Sequence, residues 1–254
     1  MNLQCAAHIN AAYKSASQSA RAFTESWCAQ ELYCPACESD RLSRSRPNSP
    51  ALDFTCPLCR QFFELKSSKN WMRRKIVDAG YSAMIRAIRE DRTPNLLVMQ
   101  YSKDWFVTNL LLIPRMFFTE SAIERRPPLS PKARRAGWVG CNILLDRIPD
   151  DGKIMLVSAG TPVPTGDVRE EFARVRQLAQ LPPSRRGWTV EVLNLVRQLR
   201  KPEFALAELY EHEGELRESH PGNKNIRPKI RQQLQILRDM RLIRFTERGK
   251  YRVV

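Results

Sequence analysis

Apolar residues recur at helical spacing over residues 13–30, where Phe23 and Trp27 stand four apart and Ser15 is placed to cap. A second helix is expected over 78–90, from the recurrence of Tyr81, Met84, Ile85 and Ile88. The most apolar runs, 95–99 and 110–113, fall far short of the ~18 residues a bilayer crossing needs and predict buried strands over 95–101 and 105–113. Ahead of them, residues 51–55 and 61–66 read as a hairpin. Alternation along its second arm puts Phe63 and Leu65 on the core face and Glu64 and Lys66 on the other. A strand at 153–157 and a helix at 167–180 follow. Residues 125–142, with Pro127, Pro128, Pro131, Gly137 and Gly140, keep no period and read as a long ordered loop or a binding loop. Residues 181–187 join paired prolines to a basic cluster and read as a linker. Beyond it, helices at 189–199, 205–217 and 226–240 and a hairpin at 243–254 have the order of a winged helix.

These elements predict an α/β domain over 1–180, a linker over 181–187 and a winged-helix DNA-binding domain over 188–254. Charge indicates the partner. The 254 residues carry 42 Lys and Arg against 27 Asp and Glu, a net +15 that suits a polyanion such as nucleic acid. The excess is partitioned: residues 188–222 are net −3 and residues 223–254 net +8, so one half of the winged helix is expected to face phosphates. Its third helix opens near Lys224, Asn225 and Arg227, with Arg231 and Gln235 on a groove-facing row and Gln232 beside it. Asn and Gln can contact adenine bidentately, and Arg can contact guanine. Arg248 and Lys250 in the wing suit phosphates, while Trp188, Leu193, Leu195, Val196, Leu234, Ile236 and Leu237 are assigned to the core. In the aperiodic stretch, Arg134 and Arg135 can clamp phosphates or guanine edges, and Trp138 offers a face to a base and a methyl group.

Seven cysteines include two C-x-x-C pairs, Cys34/Cys37 and Cys56/Cys59, separated by 18 residues. Two such knuckles complete a closed tetrahedron, so a structural Zn²⁺ ribbon is expected over 34–59. Cys5, Cys28 and Cys141 read as ordinary buried thiols. This usage suits a reducing interior, and the opening MNLQCAAHINAAYKSASQ lacks the basic start and long apolar run of a secretory signal, so a cytoplasmic location is expected. His8, His212 and His220 show no ligand spacing.

Asp53 is expected on the strand beside Glu64. Two carboxylates on adjacent strands can hold Mg²⁺ next to a phosphate, and Lys66 can orient or deprotonate the attacking water or balance charge in the transition state. Glu25 could add a carboxylate, although a surface role is the plainer reading. The pattern Asp-x10-Glu-x-Lys resembles the PD-(D/E)xK nuclease superfamily, although Leu52 stands where that pattern often has proline. The superfamily implies an α/β core with a mixed central sheet, here with an inserted zinc ribbon. Longer blocks carry a more specific resemblance: Tyr33-Cys34-Pro35, Asp53-Phe54, Phe63-Glu64-Leu65-Lys66-Ser67, Ala133-Arg134-Arg135-Ala136-Gly137-Trp138, Gly187-Trp188-Thr189, and the run from Ile230 to Asp239. From about residue 13 to 254 the chain resembles the DpnI-like family of methyl-directed type II restriction endonucleases. That resemblance implies Mg²⁺-dependent cleavage of double-stranded DNA at GATC carrying N6-methyladenine, with readout by both domains. By position, Asp53, Glu64 and Lys66 match the nuclease motif, Asp53, Glu64 and Leu65 the Mg²⁺ site, and the four paired cysteines the ribbon. A monomer acting on adenine-methylated DNA, with no membrane partner, is expected; the alternative is a non-catalytic zinc-ribbon and winged-helix regulator.

Overall fold

The computed structural model describes residues 1–5, 15–45, 52–72 and 74–254. In chain order, α1 is Ala16–Glu31, β1 Ser43–Arg44, β2 Phe54–Thr55, β3 Phe62–Ser68, β4 Lys75–Gly80, α2 Tyr81–Arg89, β5 Asn95–Tyr101 and β6 Val107–Ile113. Then come β7 Ile123–Arg125, β8 Gly140–Leu144, β9 Ile154–Ser158, β10 Thr161–Pro162, α3 Thr165–Val175 and α4 Pro183–Gln198. The chain ends with β11 Glu203–Ala205, α5 Leu206–Tyr210, α6 Glu213–Ser219, α7 Ile226–Asp239, β12 Ile243–Glu247 and β13 Lys250–Val253. The first residues of the helix expected from 13, and the start of the arm expected from 51, lie outside the described residues.

Two compact units divide these elements. The first comprises Met1–Arg74, Arg92–Arg115 and Asp151–Val175. Its seven-stranded sheet runs β1-β2-β3-β5-β6-β9-β10, with β3 and β5 parallel and the other described pairs antiparallel. The mixed α/β sheet expected from the sequence is therefore present. The apolar run of β5 is central and almost wholly buried, as its uninterrupted pattern requires. Ser15 caps α1 by accepting from the Gln18 N–H, and the helix buries Phe23, Thr24, Trp27 and Cys28. Phe23 and Trp27, each 1 % exposed, supply roughly 2 to 3 kcal/mol of burial apiece. Thr24 Oγ1 lies 3.2 Å from Ser67 Oγ, which fixes the helix against β3. Asn95 is fully buried at the start of β5; its amide donates to Gln61 Oε1 and the Phe62 carbonyl at 3.0 Å each, and its oxygen accepts from the Arg115 N–H at 3.0 Å.

The second unit comprises Lys75–Asp91, Met116–Asp150 and Arg176–Val254. It holds a three-stranded sheet in the order β4-β8-β7 and the C-terminal winged helix, whose sheet runs β11-β13-β12. In the latter, α4 packs on α7, and Thr189 Oγ1 donates to the buried Gln233 Oε1 at 2.8 Å. Among the described residues no helix is long and apolar enough to cross a membrane.

Four expectations need correction. The helix expected from 78 begins at Tyr81, because Asp78 and Ala79 belong to β4, whose alternating burial seats Ile76 and Asp78 inward. The aperiodic stretch 125–142 begins and ends in β7 and β8. Residues 183–187, expected as linker, form the first turn of α4: Pro183 suits a helix start, and Arg186, 2 % exposed, donates to Asp91 Oδ1 at 2.5 Å. The single helix expected over 205–217 is α5 and α6, preceded by β11; Glu208 Oε2 accepts from the Ala205 N–H at 2.8 Å and fixes the start of α5.

Candidate functional site

The second cysteine knuckle forms the turn of the hairpin β2–β3, and the first lies ahead of β1. Cys34 Sγ lies 3.6 Å from Cys59 Sγ and Cys37 Sγ 3.5 Å from Cys56 Sγ, and the four sulfurs lie within 4.8 Å of one another. A regular tetrahedron with Zn–S near 2.3 Å has edges of about 3.8 Å, so the cage has the size a zinc ion needs. The group could hold a metal ion without an open position. Burial opposes ionisation of Cys56, yet the N–H groups of Cys59 and Leu58 and the neighbouring thiols draw it down to about 6; in Cys34 burial prevails and the thiol is pushed up. A cation would bring all four to thiolates. From α3, Arg169 buttresses the first knuckle, donating to the carbonyls of Cys34 and Ser39 at 3.3 Å each and to Glu38 at 2.8 Å. The three other thiols are buried as expected, and burial raises Cys5 to about 11 and pushes Cys28 well above the ordinary thiol value.

Asp53, Glu64 and Lys66 come together. The Asp53 N–H donates to the Phe63 carbonyl at 3.0 Å, and its own carbonyl accepts from Ser45 N–H at 2.9 Å. Its carboxylate reaches across the hairpin: Oδ2 accepts from the Leu65 N–H at 2.8 Å. Glu64 and Lys66, two apart on one strand face, are joined by an ion pair of 2.5 Å. From α1, Arg21 pairs with Glu25 and brings its Nη2 to 3.5 Å from Asp53 Oδ1. Burial holds the Asp53 carboxyl above the usual carboxylate range and Glu25 adds to this, against the Leu65 N–H, Arg21 and Lys66. The arrangement thus gathers three carboxylates and two cations, with oxygen donors suited to a hard divalent ion. Sequence reasoning set Glu25 at the surface and missed Arg21. Their signal was the i, i+4 spacing, with α1's buried Thr24 as the guide to which way the pair faces. Leu65, expected in the core, is half-buried and enters through its backbone.

The second unit carries the other candidates. Arg134, Arg135 and Trp138 lie on a hydrogen-bonded loop closed by Leu129 N–H to Trp138 O at 2.9 Å and Gly137 N–H to Leu129 O at 3.0 Å, with Gly137 at φ 75°. The Arg135 guanidinium stacks 4.6 Å from the Trp138 ring centre. The indole lies on β8: a Cβ at Gly140 would fall 2.9 Å from it. On α7 and before it, Lys224, Asn225, Arg227, Arg231, Gln232 and Gln235 are exposed, as are Arg248 and Lys250 in the wing. Trp188, Leu193, Leu195, Val196, Leu234 and Leu237 are buried, and Ile236 is half-buried.

A mixed α/β sheet carrying a four-cysteine centre and an acidic cluster, in a chain that ends in a basic winged helix, defines a protein built to act on DNA. The chain belongs to the DpnI family, described as the Dam-replacing family, whose model matches residues 1–181. The Dam-replacing HTH domain model matches residues 184–253. Membership supports a methyl-directed restriction enzyme in general.

Proposed function

We propose that this chain is a type II endonuclease that hydrolyses double-stranded DNA at GATC bearing N6-methyladenine. It comprises a PD-(D/E)xK catalytic domain over 1–180 and a winged-helix reader over 188–254, and acts as a cytoplasmic monomer. The observation that carries the reading is the convergence of Asp53, Glu64 and Lys66 through the Leu65 N–H on a hairpin whose turn carries one half of the cysteine cage. The cage would hold structural Zn²⁺. Asp53, Glu64 and the Leu65 carbonyl would hold Mg²⁺, which when bound lowers the pKa of water and offsets phosphate charge. The Leu65 N–H fixes one oxygen of Asp53, so that carboxylate keeps its orientation. Lys66 carries an ammonium beside Glu64, where it orients the attacking water and balances charge developing on the phosphate.

Methyl selectivity has a ceiling at any one pocket. A methyl-sized group is worth about 1 to 3 kcal/mol, or ten- to two-hundredfold. Two readers multiply that ratio, and the chain offers two: Trp138 with Arg134 and Arg135, and α7 with Lys224, Asn225, Arg227, Arg231, Gln232 and Gln235, flanked by Arg248 and Lys250 on phosphates. The test is incubation with Mg²⁺ and plasmids that differ only in adenine methylation at GATC, alongside Asp53→Ala. Cutting of the methylated plasmid alone, lost in Asp53→Ala with DNA affinity retained, is expected. Equal cutting of both plasmids would remove the methyl claim, and binding without cutting would leave a regulator.

A further inference from the structure

Tyr210 closes α5 and is half-buried. Its phenol oxygen accepts from Arg231 Nη1 at 2.9 Å, and its ring centre lies 5.0 Å from the Arg227 guanidinium carbon. Arg227 Nε donates to Glu213 Oε2 at 2.7 Å, and the other oxygen of Glu213 holds Arg217 Nη2 at 2.7 Å. Arg227 and Arg231 are four apart on α7, so they share one face.

We propose that Tyr210 is a positioning residue for DNA recognition, holding Arg227 and Arg231 in a fixed relation so that both guanidinium groups meet the duplex already ordered. This rests on the reading of α7 as the recognition helix. An exposed arginine has soft torsions throughout its stem, and ordering them on binding weakens the complex. One phenol addresses both side chains at once: its oxygen takes a single donor of Arg231, and its face takes the charge of the Arg227 guanidinium. Each contact leaves further N–H groups on the same guanidinium, as bidentate contact with guanine or phosphate requires. Glu213 adds direction to Arg227 while its charge is shared with Arg217. A tyrosine supplies both contacts where phenylalanine supplies one and leucine none.

The test measures binding of the full chain with Ca²⁺ in place of Mg²⁺, to a methylated GATC duplex and to a scrambled duplex of equal length, over a salt series. Tyr210→Phe should lower the ratio of the two affinities about fivefold, the loss of one hydrogen bond, with the salt slope and melting temperature unchanged. Tyr210→Leu should lower the ratio further, and Tyr210→Phe added to Arg231→Ala should cost nothing more. If Arg231→Ala lowers the ratio and Tyr210→Phe does not, the positioning role is wrong while α7 remains the reader. An Arg231→Ala variant that keeps the ratio removes α7 as the reader, and this proposal with it. Equal weakening on both duplexes with a lower melting temperature would make Tyr210 a packing residue only.

Discussion

Removing the metal from the cysteine cage should destabilise the protein by an amount that can be bounded from the chain path. Cys37 and Cys56 are 19 positions apart, and with Cys34 and Cys59 they close the loop that contains β1, Asp53 and β2. Releasing a cross-link around about 20 residues returns roughly 3 kcal/mol of chain entropy to the unfolded state. For a chain of this size each kcal/mol shifts the melting temperature by about 2 to 4 °C, so the fall should be roughly 6 to 12 °C at least. Metal–thiolate bonding adds to this, since structural zinc in small domains contributes about 10 kcal/mol or more of apparent folding energy. β2 is two residues long and cannot hold Asp53 by its ladder alone, so cleavage should fall with stability. The assay is a thermal melt of the purified protein before and after a strong chelator, with zinc counted by mass spectrometry and then restored. Cys56→Ser should melt low from the outset and respond no further to chelator. A protein that holds less than one zinc per chain and melts unchanged in chelator would refute the reasoning.

Three further outcomes test other parts of the structure. The Asp53 carboxyl is held above its ordinary value, so the folded state binds that proton more tightly than the unfolded one. Its contribution therefore favours the fold below the unfolded value and is lost as pH rises through the folded value; at pH 7 to 8 with zinc bound and no Mg²⁺ added, Asp53→Asn should melt above wild type, and it should fail to cut when Mg²⁺ is supplied, whereas a lower melt would contradict the burial effect. By the same shift, Ca²⁺ affinity of the wild type should fall on acidification from above the usual carboxylate range. Asn95→Ala strands the Phe62 carbonyl and the Arg115 N–H and should cost about 3 kcal/mol, measured by urea unfolding; a cost below about 1 kcal/mol would mean that the buried amide network carries little. Gly140→Ala drives a methyl into the Trp138 indole and should lower the preference for methylated over unmethylated GATC about tenfold; unchanged preference would take Trp138 out of methyl reading.

Which parts of this molecule were legible in the sequence follows from how far each signal reaches along the chain. Cys34/Cys37 and Cys56/Cys59 declare their geometry within four residues each, and the parity of Glu64 and Lys66 is fixed by one strand. The buried run Asn95–Tyr101 carries its own assignment. The sheet of β4, β7 and β8 does not, because Gly80 pairs with Gly140 across 60 residues and the three residues of β7 are too few to show a period. Residues 183–187 are ambiguous for a related reason: proline followed by a basic cluster suits a linker and a helix start equally, and the deciding contact, Arg186 with Asp91, joins positions 95 apart.

The acidic cluster combines both kinds of signal, and this constrains how its residues can be tested. Asp53 is held by the Leu65 N–H, by the Phe63 and Ser45 backbone and by the short β2, and it lies between the two knuckles, the second of which turns β2 into β3. The cage and the carboxylate are therefore one mechanical unit, and a cysteine variant that loses cleavage says nothing about chemistry by itself. Arg21 and Glu25 reach the same carboxylate from α1, which is anchored separately through Thr24 and Trp27. A variant at Glu25 therefore changes the charge around Asp53 while leaving the cage intact. Glu25→Gln removes one like charge from the cluster and should weaken Ca²⁺ binding if its carboxylate is a ligand. If it acts only as a neighbouring charge, Asp53 should instead ionise at lower pH, and the acid limb of Ca²⁺ binding should move down with no loss of affinity at neutral pH.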